Sequence, residues 1–210
     1  MTDLIFYTNP MSRGRIARWM LEEVGRPYDT RLVDWTNKPD AFVAANPMAK
    51  VPTIVHDGRV VTEAAAIIAY LADTFPEAAL APTDDERADY YRWMFFAAGP
   101  LEAAVTNKSL GVEPTAEQQG MVGYGSLDRV VSTLQQAVSR HDYITGERFT
   151  AADVYVGSHI GWGLMFGSLP KCPEFETYLA RVTDRPAAVR AREIDDALIA
   201  EAQQQEPAAG

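Results

Sequence analysis

The chain has 210 residues, enough for one large domain or two small ones, and its 47% hydrophobic and 23% charged side chains are those of an ordinary globular protein. Its single cysteine, Cys172, excludes an intrachain disulfide framework, and the net charge of −10, without a basic stripe, argues against nucleic acid as a partner. The start has no basic-then-apolar leader and the chain no run of about 18 apolar residues, so neither a secretory signal nor a membrane span is expected.

Leu4–Tyr7 reads as a short buried strand. Residues 13–24 read as a helix, with Ile16, Ala17, Met20, Leu21 and Val24 at helical spacing and Gly25 as its stop. The junction between them brings Ser12, Arg13, Arg15 and Arg18 to a helix start. Such a start already offers unpaired N–H groups and the positive end of the dipole, so each added cation costs roughly 0.3–1 kcal/mol when exposed. An anion bound there would relieve the excess.

Tyr28–Trp35 is a second strand candidate, and Pro39–Ala45 a short helix. Val51–His56 and Arg59–Thr62 flank Asp57-Gly58, the signature of a hairpin with a type I′ turn. A helix follows, with Ala64, Ile67, Ile68, Leu71, Ala72 and Phe75 on one face. The order β-α-β-α-β-β-α describes a small mixed sheet flanked by helices, within residues 1–78.

Proline and acidic residues over 76–85 mark a linker. Beyond it the reading is helical: Glu86–Lys108 with a kink at Pro100, then Ala116–Arg140, 151–166, 174–183 and 187–202. This makes 86–202 an all-helical domain and 203–210 a flexible tail. Thr150 and Asp153 form a helix cap whose role is folding. His56, His141 and His159 lack metal-ligand spacing, so no metal is expected.

Two further motifs bear on chemistry. Lys50-Val51-Pro52 is explained by a simple strand start, or by a cis Val51–Pro52 bond that leaves the Val51 N–H and C=O open to a peptide-like ligand. Glu63, before a helix, either satisfies the dipole or accepts from a ligand ammonium while neighbouring N–H groups take a carboxylate.

Taken together, the Ser12 junction, Asn46-Pro47-Met48-Ala49-Lys50-Val51-Pro52, Glu63 and the Thr150–Asp153 cap resemble the cytosolic glutathione S-transferases, from Leu4 to about Ala200. The pattern is bacterial-type, with a serine-type active site resembling the theta and beta classes. The resemblance implies a thioredoxin-like N-terminal domain (α/β) followed by an all-α C-terminal domain. It implies a cytoplasmic homodimer that conjugates the glutathione thiolate to small apolar electrophiles, a detoxification reaction with glutathione as co-substrate.

Carried over residue by residue, Val51 pairs its backbone with the cysteinyl unit, next to Pro52. Glu63 and the Ala64 backbone hold the γ-glutamyl end, and Lys50, or more weakly Lys38, meets the glycyl carboxylate. The family often has serine where this chain has Ala64, so that hydroxyl contact is missing. Ser12 is favoured as donor to the sulfur because the helix dipole acts on the same thiolate, and Tyr7 stays open as the tyrosine-type alternative. Phe95, Phe96, Trp162, Met165 and Phe166 are candidates for the electrophile pocket, each taken singly more simply read as core packing. Competing functions are a glutathione-dependent disulfide or peroxide reductase, an isomerase, and a non-catalytic scaffold of the same fold.

Overall fold

A computed structural model describes residues 3–205. By its internal contacts the chain divides into two units. One takes the chain up to Ala79 and again from Arg185, and the other is Leu80–Asp184.

The first unit is built on a four-stranded sheet in the order β2-β1-β3-β4. Strand β1 (Leu4–Thr8) runs parallel to β2 (Asp29–Leu32) and antiparallel to β3 (Thr53–His56), which pairs antiparallel with β4 (Arg59–Thr62). Alternation in β1 buries Leu4, Phe6 and Thr8, and turns Ile5 and Tyr7 to a less covered face. The second strand is shorter than the segment 28–35 read for it. The hairpin turn takes the left-handed geometry that type I′ demands, with Asp57 at φ 51° and Gly58 at φ 75°.

Helix α1 (Gly14–Val24) ends on Gly25 in the left-handed region, as its sequence predicts. Helix α2 (Asp40–Ala45) precedes β3, and α3 (Ala64–Thr74) buries Ile67, Ile68, Leu71 and Ala72. The thioredoxin-like arrangement expected from the element order is present.

The second unit contains α4 (Arg87–Phe96), α5 (Glu102–Ser109), α6 (Leu127–Val138), α7 (Ala151–Phe166) and α8 (Pro173–Thr183). Between α4 and α5 a π turn at Ala97–Leu101 holds Pro100, so the long helix read over 86–108 is interrupted where proline removes a donor. The helix read over 116–140 begins only at Leu127. Gly120, Gly123 and Gly125 break its first part, and the Ser126 hydroxyl caps the new start by accepting from the Arg129 N–H.

Buried Asp153 organises the turn before α7. Its Oδ1 accepts from the Ile144 N–H (2.7 Å) and the Tyr178 hydroxyl (2.8 Å), and its Oδ2 from the Thr150 N–H (2.8 Å) and hydroxyl (3.1 Å).

The last helix, α9 (Pro186–Gln205), groups with the first unit, although its sequence reads on from the helical segment. It packs along α1. The polar pairs between them run antiparallel: Arg15 with Asp196, Arg18 with Asp195, Glu22 with Arg190, and Glu23 with Arg185 just before α9. Of the tail read at 203–210, residues 203–205 are the end of α9, and 206–210 lie outside the described residues. Among the described residues no helix is long and apolar enough to cross a membrane.

Candidate functional site

The sheet register gathers the predicted residues at one edge. Tyr7 pairs with Thr53, Thr53 with Thr62, and Thr8 with Leu32. The ends of β1, β2 and β4 and the beginning of β3 therefore share that edge. The segments that leave or enter there carry Ser12, Lys38, Lys50, Val51, Pro52, Glu63 and Ala64. Four short strands thus turn motifs distant in sequence into neighbours.

Ser12 sits in a tight turn. Its hydroxyl donates to the Asn9 carbonyl at 2.6 Å and accepts the Gly14 N–H at 2.9 Å. Asn9 is itself pinned: its amide donates to the Val33 carbonyl (3.0 Å) and its oxygen accepts the Met11 N–H (2.9 Å). Gly14 is required here, because a Cβ on it would lie 2.0 Å from Thr8 Oγ1 and 3.0 Å from Ser12 Oγ. Thr8 is fully buried, and its hydroxyl has no hydrogen-bond partner among the described residues. Tyr7 is half-buried, its ring 5.4 Å from that of Phe42 on α2, and its hydroxyl makes no hydrogen bond among the described residues.

Two of the three cations after Ser12 find carboxylate partners within the protein. Arg15 meets Asp196 at 2.7 Å, and Arg18, which is 1% exposed, meets the equally buried Asp195 at 2.7 Å. Arg18 also donates to the Tyr28 hydroxyl (3.1 Å), and its guanidinium lies 5.2 Å from the Phe6 ring centre. Burial holds the Asp195 carboxyl above its usual range, against the pull of Arg18. Burial, reinforced by the hydrogen bond to Glu22, pushes the Tyr28 hydroxyl up to about 12. The anion expected at this helix start is therefore not called for by the charges of Arg15 and Arg18. Their partners lie 177 and more residues away, beyond any local reading.

The Val51–Pro52 bond is cis. Among the described residues the Val51 N–H and C=O have no hydrogen-bond partner. The loop before it is held by Asn46, whose side chain donates to the Lys50 carbonyl (2.8 Å) and to Thr53 Oγ1 (3.0 Å). Lys50 is exposed and Lys38 half-buried.

Glu63 occupies the N-cap of α3 at φ 65° and ψ 121°, a conformation that costs a residue with a Cβ about 1–3 kcal/mol. Its carboxylate is exposed and has no partner among the described residues. No side chain caps α3, so the N–H groups of its first turn, Ala64 among them, have no acceptor within the helix. An unpaired carboxylate beside free N–H groups is complementary to an amino-acid zwitterion: ammonium on Glu63, carboxylate on the helix start.

The five pocket candidates lie in the second unit, on α4 and α7, which pack together. Phe95, Met165 and Phe166 are more than 70% exposed. Trp162 and Phe96 are half-buried, and Phe96 stacks edge-on against Trp93 at 5.4 Å. Among the described residues, no group of three or more His, Cys, Asp or Glu side chains is placed to hold a metal ion.

Sequence reasoning missed Asn9, Asn46 and Thr53 as the side chains that shape the edge. Asn46 stood inside a quoted motif, and Thr53 directly after it.

Residues 11–74 match the family described as the glutathione S-transferase N-terminal domain. Over 189 residues the chain is 29% identical to glutathione S-transferase GstA of Escherichia coli O157:H7, covering 86% of this chain and 90% of that one. A glutathione transferase structure from Methylococcus capsulatus superposes with a TM-score of 0.75 at 25% identity, over 92% of this chain and 98% of the other. A theta class glutathione S-transferase from Xanthomonas axonopodis pv. citri, solved with glutathione bound, gives 0.70 at 25% identity over 91% and 97%.

Proposed function

We propose that this chain, for which the matched segment and the long alignments support the glutathione S-transferase family, is a glutathione transferase that adds the glutathione thiolate to small apolar electrophiles. One observation carries the reading. A zwitterion-complementary helix start at Glu63, the unpartnered peptide groups of Val51 and two hydroxyls, Ser12 and Tyr7, share a single sheet edge. That order of groups is the order of chemistry along a γ-glutamyl peptide with a central thiol.

In this reading Glu63 and the Ala64 N–H take the γ-glutamyl end, Val51 beside Pro52 pairs with the cysteinyl unit, and Lys50, assisted by Lys38, receives the glycyl carboxylate. Ser12 donates to the sulfur. Its hydroxyl already accepts from the Gly14 N–H, which polarises it, and moving its proton from the Asn9 carbonyl to a thiolate exchanges a neutral acceptor for an anionic one. Lowering a thiol pKa by two units requires only about 2.7 kcal/mol, within reach of one hydrogen bond to a charged group and a helix dipole. The thiolate then attacks the electrophile, forming a carbon–sulfur bond and expelling a leaving group or taking up a proton. Phe95, Phe96, Trp162, Met165 and Phe166 supply apolar surface for that second substrate. The enzyme would work as a cytoplasmic homodimer in detoxification.

Tyr7 is the second reading for the thiol, favoured by one fact: its hydroxyl is uncommitted where that of Ser12 is engaged. The deciding experiment measures turnover with an electrophile panel and the thiolate absorbance of bound glutathione. Ser12→Ala is expected to lower both at least tenfold and Tyr7→Phe to change them little; the reverse pattern transfers the role to Tyr7. Failure of the wild-type chain to bind immobilised glutathione would favour a scaffold. Reduction of peroxides or disulfides, or isomerisation, without conjugation would favour those alternatives.

A further inference from the structure

We infer that Asn46 and Thr53 are positioning residues for the bound glutathione peptide, acting through the Lys50 carbonyl to aim the Val51 N–H at the ligand. The inference rests on Val51 being a glutathione contact, as proposed above.

The Lys50 carbonyl is held twice from inside, by Asn46 Nδ2 at 2.8 Å and by the Thr53 hydroxyl at 3.1 Å. Both holders are buried, Asn46 4% exposed and Thr53 not at all, and Nδ2 also donates to Thr53 Oγ1 at 3.0 Å. The remaining polar atom of the Asn46 side chain, Oδ1, accepts the Met48 N–H at 3.1 Å. The network is thus closed, and a closed buried network fixes one conformation where apolar packing would permit several.

The consequence for Val51 is geometric. In a planar trans peptide the C=O and the following N–H point in opposite directions. The Lys50–Val51 peptide is not among the cis bonds. Its carbonyl is drawn inward by Asn46 and Thr53, so the Val51 N–H is turned away from them, and it has no partner among the described residues. The loop accepts a cost to hold this shape: Ala49 sits at φ 50°, in the left-handed region, closed by its N–H to the Asn46 carbonyl at 2.7 Å.

Thr53 also ties the loop to the sheet, since it pairs with Tyr7 on one side and Thr62 on the other. The direction of the Val51 N–H is thereby set relative to the strands leading to Ser12 and Glu63.

The test is calorimetric titration of the full chain with glutathione, alongside kinetics at saturating electrophile. Thr53→Val keeps the shape and removes the hydroxyl. It is expected to weaken glutathione binding about five- to tenfold, the equivalent of one hydrogen bond, with kcat at saturating glutathione within about twofold of wild type. Thr53→Ser restores the hydroxyl and should restore affinity. Asn46→Asp, which keeps the acceptor for Met48 but loses the donor to Lys50, should reproduce the Thr53→Val pattern, and serves if that variant does not fold. Wild-type binding with unchanged affinity in a folded Thr53→Val or Asn46→Asp variant overturns the inference, as does a fall in kcat without a change in affinity. If wild type binds no glutathione, the proposed function fails at the first titration, a result distinct from either.

Discussion

Asp153 shows what one buried carboxyl does for a fold. Burial pushes it up to about 6, outweighing the hydrogen bonds from Ile144, Thr150 and Tyr178. A carboxyl whose folded value stands above its unfolded one of about 4 holds its proton more tightly when folded. Its contribution to stability is complete below about pH 4 and is lost as pH rises through about 6. Asp153→Ala should remove that pH dependence and take the acceptor from two N–H groups and two hydroxyls, at about 3–5 kcal/mol in all. Chemical unfolding at pH 4, 5, 6 and 7, compared between the two proteins, measures both effects. Asp195 is shifted in the same sense, so the difference between the proteins isolates Asp153. The Thr150–Asp153 cap was legible because its four-residue spacing is local. Asn46 was not, since nothing local distinguishes a buried amide that captures the Lys50 carbonyl from one that merely starts a turn.

Helices α1 and α9 depend on each other through pairs of very unequal weight. Arg18 and Asp195 are both 1% exposed, whereas Arg15 and Asp196 face solvent in part. Removing one member of a buried pair strands the other charge and costs about 3–5 kcal/mol, while an exposed pair is worth about 1 kcal/mol or less. Arg18→Met or Asp195→Leu alone should therefore lower stability sharply, Arg15→Ala hardly at all, and the Arg18→Met/Asp195→Leu double variant much less than either single change. Urea unfolding midpoints of the four variants decide this. The contrast explains what periodicity could and could not deliver. The apolar spacing of α1, and the proline and glycine punctuation around the hairpin, encode each element from within. The partner of Arg18 is encoded elsewhere. The helix read over 116–126 failed for the complementary reason: Ala116–Gln119 suits a helix, but three glycines and a serine cap within the next seven residues outweigh it.

At the scale of the whole molecule, the sheet unit is discontinuous in sequence, closed by a helix that follows the entire helical unit. The sequence marks the change of character near residue 80 through its prolines and acids, but carries no comparable signal before Arg185, where helix follows helix. A chain stopped at residue 184 should retain Leu80–Asp184 and lose the cooperative unfolding of the sheet unit, because Arg18 is then buried without Asp195. Limited proteolysis with mass readout tests this, and resistant fragments from the first 79 residues would contradict it. The same arrangement imposes an order on synthesis. A ribosome makes the four strands first, yet they cannot acquire α9 until residues beyond 185 have emerged, by which time all of the helical unit has been made. For much of translation, then, the face of α1 that α9 will cover is the part of the nascent chain still without its partner.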